Sequence, residues 1–475
     1  MSRRVVVIGA GVGGLSAAIR LAHHGYKVTV VEARDSAGGL ASGFERDGFR
    51  FDSGPYILLD RPGLEWAFQQ LGIPPEQQSR LTRIKHVYEV DDGIGSPVSI
   101  FDSLDRTASG FEDQWQGAGE LYRKFVEWTG RKHHRMQPLQ WISRPGPFDL
   151  LRTGAWRDLP FVIRRLAPIL KSTGLPNRIT DTLSIWTQVA GQLADHAPSP
   201  LALVTSVIHR NGACYPDGGI NSVPQTLFNT AVTTGVEFRF GTRVNRIISR
   251  DRNVTAVEVN GDVLPADFVM SNVGLTTYSQ LLDEDGRSAL GKRAQTYFNK
   301  LPLQSPGVCA YLAVKGKPRL PYLRFHIRNQ TDGCRLLITP GVVDPSLEQA
   351  GWYPARLLAP MSHTRAQTGG ESGQREFLDQ VLHQEDWWRQ HFEDVRVLET
   401  RIPNEWGTQF HLHRNSMNPV MTARFMLTGR VAHRSPWIKG LYLTGSATHP
   451  GQWVSFCTVS GILAADRLLS DDGGS

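Results

Sequence analysis

The residues best placed to do chemistry are glycines rather than acids and bases. Gly9-Ala10-Gly11-Val12-Gly13-Gly14 directly follows an apolar run at 5–8, and Glu32 stands 18 positions after Gly14. Each has a task if the run cradles a pyrophosphate. Gly9 permits a tight turn, Gly11 lets the backbone approach the phosphates, and Gly14 lets a helix pack close to its sheet. The first amides of that helix offer unpaired N–H groups and a positive dipole end to an anion. Glu32 then accepts from a ribose hydroxyl and disfavours a 2′-phosphate, which selects FAD or NAD over NADP. No paired carboxylates, metal-ligand cluster or nucleophile–base pair stands out, so no metal is expected. His449, in the run Gly445-Ser446-Ala447-Thr448-His449-Pro450-Gly451-Gln452, is open to two readings: an acid/base or a structural polar contact.

The elements that must hold these residues follow from periodicity. Residues 5–8 are β-branched throughout, as in a strand buried on both faces of a parallel sheet. Over 15–24, Leu15, Ala18, Leu21 and Ala22 recur at helical spacing, and Gly25 supplies a left-handed cap. Lys27–Val31 is a second strand. A glycine fingerprint between two strands, closed by an acid, is a specific β–α–β signal. Beyond it, Ala33-Arg34 lead to a second glycine pair, Gly38-Gly39, followed by Leu40. Phe49 and Phe51 alternate as a strand before a Gly54-Pro55 turn. Further on come a helix over 222–233, strands over 235–240, 242–249, 254–259 and 263–269, and a Gly261-Asp262 hairpin turn. Near the end, Leu441–Leu443 is a buried strand, and a helix over 455–469 can turn its N-terminus to a ligand.

The stretch from Glu32 to Leu40 resembles the extension that marks the large amine-oxidase-like flavoprotein superfamily, in which this loop lies along the FAD pyrophosphate. Leu40 stands where those proteins usually carry Arg or Lys, and Arg34 is the nearby cation. Gly48-Phe49-Arg50-Phe51-Asp52-Ser53-Gly54-Pro55 is similar to a segment of the carotenoid desaturase family, including bacterial phytoene desaturases, that passes near the isoalloxazine ring. Gly440-Leu441-Tyr442-Leu443-Thr444-Gly445, continuing to Gln452, resembles that family's C-terminal signature. Gln452 and Ser460-Gly461 lean towards the branch of carotenoid isomerases and later-acting desaturases. The resemblance implies FAD as cofactor, held by Gly9, Gly11, Gly13, Gly14, Glu32, Ala33, Arg34, Gly38, Gly39, Leu40, Gly54, Pro55, Val244 (through its backbone, beside the adenine), Gly445, Gln452, Trp453 and Val454. Trp453 and Phe456 narrow the space over the flavin. The implied fold is α/β: a Rossmann-type FAD-binding domain assembled from 1–100, 210–275 and 426–475, with an α+β substrate domain from two insertions, 101–209 and 276–425.

The implied reaction is desaturation of a long polyisoprenoid by hydride transfer to the flavin. A redox-neutral carotenoid isomerase or saturase and an oxygen-using amine oxidase stay open, as does a flavin-bound scaffold without turnover. The amine reading requires an aromatic cage, for which Trp453 and Phe456 are the candidates. No second dinucleotide fingerprint is visible, so reoxidation is expected from oxygen or a membrane quinone.

Among 475 residues, 40% hydrophobic and 20% charged, four widely spaced cysteines form no C-x-x-C pair, which fits a reducing cytoplasm. No signal peptide is read at the N-terminus, and no run reaches the about 18–20 apolar residues of a spanning helix. The net charge of +7 favours anionic surfaces, and no nucleic-acid motif accompanies it. Residues 159–170 carry an apolar face and Arg164-Arg165, flanked by Arg152, Trp156, Arg157 and Lys171. They read either as an interfacial helix on an anionic membrane or as a buried cap helix with surface arginines. The expected location is therefore cytoplasmic, with peripheral membrane contact open; the oligomeric state is not legible.

Overall fold

The apolar run at the N-terminus becomes the centre of a five-stranded parallel sheet. β1 (Arg4–Ile8) leads through helix α1 (Val12–His23) to β2 (Lys27–Val31). Distant segments complete it: β3 (Glu237–Arg239), β4 (Phe268–Ser271) and β5 (Leu441–Leu443), in the order β5-β4-β1-β2-β3. The computed structural model describes residues 3–189, 191–319, 321–329, 333–426 and 430–473. Alternation along β1 serves two cores. Val5 and Val7 pack in the core shared with α1 and the C-terminal helix α2 (Val454–Gly473). Val6 and Ile8 pack with Val244, Val254 and Val257 of an antiparallel three-stranded sheet, Val244–Arg250, Asn253–Val259 and Asp262–Pro265. Each buried valine contributes roughly 1.5–3 kcal/mol relative to exposure. Helix α1 ends where expected: His24 caps it, and Gly25 takes a φ of 80°.

A second, seven-stranded sheet is mixed. Its order is Asp394–Arg401, Val308–Lys315, Trp352–Ala359, Gly333–Ile338, Leu323–Asn329, His86–Asp91, Val98–Phe101. The last two strands fall, but for Phe101, in the 1–100 segment yet hydrogen-bond into this sheet and not into the nucleotide-type one. Helices Ala118–Met136, Asn177–Val189 and Leu203–Asn211 come from the stretch between that strand pair and the middle of the chain. Trp186 on the second of these meets Tyr88 and Phe325 of the sheet edge-on, with centroids 5.5 and 5.9 Å apart.

The helix expected within 159–170, its length limited by Pro160 and Pro168, forms as two short pieces. Pro160 starts a short helix, Leu159–Val162, and Arg165 is extended (φ −87°, ψ 156°), bridging to Pro198 before Leu166–Lys171 resumes. Phe161, Leu166, Ile169 and Leu170 are buried. An exposed apolar surface is built instead from Phe148, Leu151, Trp156, Leu159 and Ile163. No helix among the described residues is long and apolar enough to cross a membrane.

Candidate cofactor and substrate site

The glycine loop leaves β1 and becomes the start of α1 without a side-chain cap. Gly11 is the extended N-cap residue, and the first turn carries no acid. The first amides of α1 are thus free for an anion, and no carboxylate competes there. A Cβ on Gly14 would overlap the Gly9 carbonyl oxygen, which accounts for that glycine by packing alone. Gly9 has a φ of 94° and donates its N–H to Val31 O at 2.9 Å.

Glu32 is buried just after β2, with one carboxylate oxygen on the glycine loop and the other on the chain that follows it. Oε2 accepts from Ala10 N at 2.7 Å, and Oε1 accepts from Arg34 N at 2.9 Å. Each oxygen retains acceptor capacity for a hydroxyl. Ala33, partly buried, lies between these two residues. The second glycine pair docks on the first loop: Gly38 N donates to Ala10 O at 2.8 Å, and Gly38 bridges Gly11. Gly38 and Gly39 have φ values of 118° and 56°. Arg34 donates through Nη1 to Gly39 O (3.3 Å) and Ser42 Oγ (3.1 Å), with its guanidinium over the Phe410 ring. The strand starting at Val244 is brought alongside by Gly241 N to Arg34 O and Thr242 N to Glu32 O. Val244's side chain is buried in the core, so its backbone is the part left to face a ligand.

Both chain ends meet at Asn272, the first residue after β4. Its Nδ2 lies 2.7 Å from where a Cβ on Gly11 would sit, and its Oδ1 lies 2.7 and 2.6 Å from the corresponding points on Gly13 and Gly445. Gly445 (φ 91°) donates to Ser460 Oγ at 3.0 Å, and that oxygen also pairs with Thr448 Oγ1 at 2.6 Å. The loop after β5 is thereby tied to α2.

Beside this cluster opens a cavity of about 1360 Å³. Gly54, Pro55, Gln452, Trp453 and Val454 line it, facing Trp186, Val204, Val207 and Leu358 from the helices and the large sheet. Gly54 packs on the Leu40 carbonyl, where a Cβ would come within 2.5 Å, and so joins the cavity to the glycine loops. Trp453 and Phe456 stack on each other with centroids 4.8 Å apart at 18°. Rings in direct contact leave no slot between them for an ammonium, so they do not form the two-walled cage the amine reading requires.

His449 lines the cavity, and its Nε2 is 2.9 Å from Leu139 O, to which it donates. Burial, then the neighbouring Arg430, pushes its pKa down to about 4. His433 is buried between Ser143 Oγ (2.6 Å), His449 O (2.9 Å) and Ser460 Oγ, and burial holds its pKa at about 3. Both rings are neutral at neutral pH, and the His449 geometry is that of a positioning contact. Arg356 donates to Gly54 O at 2.7 Å and to Cys309 Sγ at 3.0 Å.

The glycines, Glu32, Arg34 and Gly445 thus gather around Ala10 and Asn272, while Gly54, Pro55 and the segment from Gln452 to Val454 form cavity wall. Asn272, Arg356, Arg430 and His433 escape sequence reasoning. Asn272 carries a findable signal, because it sits at the carboxyl edge of a parallel strand, where α/β sheets bind ligands. The other three come from segments without a readable motif.

A family model described as flavin containing amine oxidoreductase matches residues 12–469. The 4,4'-diapolycopene oxygenase of Methylomonas sp is 25% identical, over 99% of both chains. The zeta-carotene-forming phytoene desaturase of Myxococcus xanthus is 27% identical, over 98% of this chain and 94% of that one. Among solved structures, an oxidoreductase from Methanosarcina mazei superposes with a TM-score of 0.68 at 17% identity, covering 98% of this chain and 100% of that one. Putrescine oxidase bound to putrescine gives 0.63 at 15% identity, covering 99% of each. At these identities the solved structures bear on the fold alone.

Proposed function

The chain belongs to the flavin-containing amine oxidoreductase family and is an FAD-dependent oxidoreductase, and from that premise we propose that it desaturates a long apolar polyene of the carotenoid type. The observation that carries the proposal is the cavity of about 1360 Å³, walled largely by aliphatic and aromatic side chains and reaching the loop from Gln452 to Val454. A long hydrocarbon needs such a lined space more than it needs ion pairs. FAD supplies a hydride acceptor when bound. The protein's part is to hold and to shield. The first amides of α1 take the pyrophosphate, Glu32 takes the ribose, and the Val244 backbone borders the adenine. Gly54, Pro55 and Gln452 to Val454 border the flavin ring. Desaturation breaks two neighbouring C–H bonds of the polyene and forms a C=C bond; bound FAD would take up the hydride, and the proton would pass to solvent. No side chain is required as base, in keeping with a neutral His449 tied to Leu139.

The same proposal assigns the protein to a membrane surface. Among the described residues, five of the ten large exposed apolar side chains fall between 148 and 163, including Phe148 at 75%, Leu151 at 64% and Ile163 at 61% exposure. Arg152, Arg157, Arg164 and Arg165 are exposed among them. Leu150, Ala155, Leu159 and Val162 of the same stretch line the cavity. An apolar patch ringed by arginines, continuous with the cavity wall, suits an anionic bilayer from which an apolar substrate enters.

The test is anaerobic mixing of the purified flavoprotein with phytoene, ζ-carotene or lycopene in anionic liposomes. Flavin bleaching with a red-shifted polyene product is expected. Bleaching by an amine and by no polyene would overturn the proposal. A polyene isomerised without net bleaching would move the assignment to the redox-neutral alternative.

A further inference from the structure

One wall of the cavity is polar, and apolar packing does not account for it. The segment 417–421 brings Asn418 and Met421 to the cavity, where Gln192, Gln304, Gln452 and Arg430 surround them. Arg430 donates through Nη1 to Thr448 O at 3.0 Å, and its Nη2 lies 3.8 Å from the Met421 sulfur. Among the described residues no carboxylate lies within salt-bridge distance of Arg430. Burial pulls its pKa down to about 10, with only the Cys457 thiol acting in the other direction, so the guanidinium is cationic at neutral pH. Among the described residues, most of its five N–H donors have no acceptor. Gln192 Oε1 and Asn418 Oδ1 are buried without a hydrogen-bond partner as well. Gln192 Nε2 makes only a long contact, 3.4 Å, to Met421 O. Buried amides and an unneutralised guanidinium each cost stability when left unpaired. Together on a cavity wall they point to a ligand that pairs them, and a pure hydrocarbon pairs none.

We infer that the polyene taken by this cavity carries an oxygen-bearing end group, held by Arg430 together with Asn418 and Gln192. The inference rests on the polyene reading above and narrows it. A hydroxyl oxygen accepts from the guanidinium while its O–H donates to Gln192 Oε1 or Asn418 Oδ1; an aldehyde or carboxylate oxygen, having no proton to give, accepts from Arg430 alone. Arg430 is then a specificity residue that discriminates polyene ends by paired against unpaired polar groups, the situation in which selection is strongest.

The experiment titrates the FAD-loaded protein with matched polyenes of one chain length in neutral vesicles: a hydrocarbon, an alcohol, an aldehyde and a carboxylate. Binding is read by quenching of protein fluorescence. At least one oxygenated polyene is expected to bind about tenfold or more tightly than the hydrocarbon, and R430M is expected to bring that ratio to about one. R430K, which keeps the charge, retains part of it, and N418L reads the same ratio should R430M fail to accumulate. Equal affinity of the wild type for hydrocarbon and oxygenated forms overturns the inference and leaves the polyene reading intact. Binding of none of them overturns both. Loss of FAD from R430M, or a changed flavin spectrum, assigns Arg430 to the cofactor and also overturns the inference.

Discussion

Gly461 on the C-terminal helix lies against Gly13 on the first helix so closely that a Cβ on Gly461 would overlap the Gly13 carbonyl oxygen. The two ends of the chain are thus keyed together at the helix whose N-terminus is assigned to the pyrophosphate. Alanine normally favours a helix interior over glycine by up to about 1 kcal/mol. Here the backbone overlap reverses the sign. Gly461→Ala is expected to lose about 1–3 kcal/mol of stability and to release FAD more readily. Gly110→Ala is the control: its helix position has open space around the added carbon, so it should gain about 0.5–1 kcal/mol. Thermal unfolding followed by flavin fluorescence checks both, and equal behaviour of the two variants would refute the keyed contact.

Asn272 yields a sharper test of the assigned cofactor geometry. Its amide is wedged among Gly11, Gly13 and Gly445. Asn272→Asp preserves shape and places a negative charge beside the assigned pyrophosphate. Two like charges about 4 Å apart repel by up to about 4 kcal/mol at an intermediate effective dielectric. Screening and relaxation reduce that to an expected 10- to 100-fold loss of FAD affinity, about 1.4–2.8 kcal/mol. Reconstitution of the apoprotein with FAD, followed by tryptophan quenching, measures it. Unchanged affinity would place the phosphates elsewhere.

These two contacts also mark what the sequence makes legible. The first β–α–β unit is readable because its signals are local: β-branched strands, a glycine run, an acid at a fixed spacing. Gly38-Gly39 and Gly445 are readable because a residue in left-handed geometry or in close approach has to be glycine. The Gly461–Gly13 contact and the Asn272 wedge are not, because each joins positions hundreds of residues apart and depends on how strands align across the sheet. The stretch 159–170 shows the converse. Its composition reads as an amphipathic helix whose length Pro160 and Pro168 limit, but the break falls at Arg165, which pairs with Pro198, a tertiary choice that composition cannot carry. The outward face then falls to Phe148, Leu151 and Ile163, which no periodic pattern marks.

Buried histidines give the protein a signed response to acid. His433 has its pKa pushed down to about 3 by burial and by His449, against about 6.5 in an unfolded chain. Between those values the unfolded state binds more protons, so stability is full above about pH 6.5 and is lost as the pH falls towards 3. The slope is at most about 1.4 kcal/mol per pH unit. Asp52 and Asp60, pushed up to about 6 by burial, act with the opposite sign: their contribution is full at low pH and is lost as the pH rises through 6. The aspartate effect is common to the wild type and to His433→Gln, so the difference between the two proteins isolates the histidine. Urea midpoints at pH 7 and pH 5 should drop further for the wild type than for the variant. Parallel drops would mean that His433 is already protonated in the fold.

The exposed apolar patch supplies a prediction that separates docking from catalysis. Phe148→Ser, Leu151→Ser and Ile163→Ser combined remove three side chains that are more than half exposed. They make little of the core, so the folded state should lose less than about 1 kcal/mol. The membrane contribution is larger: at about 25 cal/mol per Å², burying three such side chains in the interface is worth several kcal/mol. Cosedimentation with anionic vesicles should therefore fall by roughly 100-fold or more. Arg164→Gln with Arg165→Gln should weaken it by about 1 kcal/mol per charge, an effect that vanishes on neutral vesicles or at high salt. The two variants distinguish the apolar from the electrostatic part, because only the second depends on lipid charge. Turnover of a polyene delivered in detergent micelles should survive the serine substitutions, since the patch lies outside the flavin-facing wall, while turnover from vesicles should fall with binding. Full vesicle binding by the triple serine variant would remove the patch from the entry route and leave the cavity to be filled from another face.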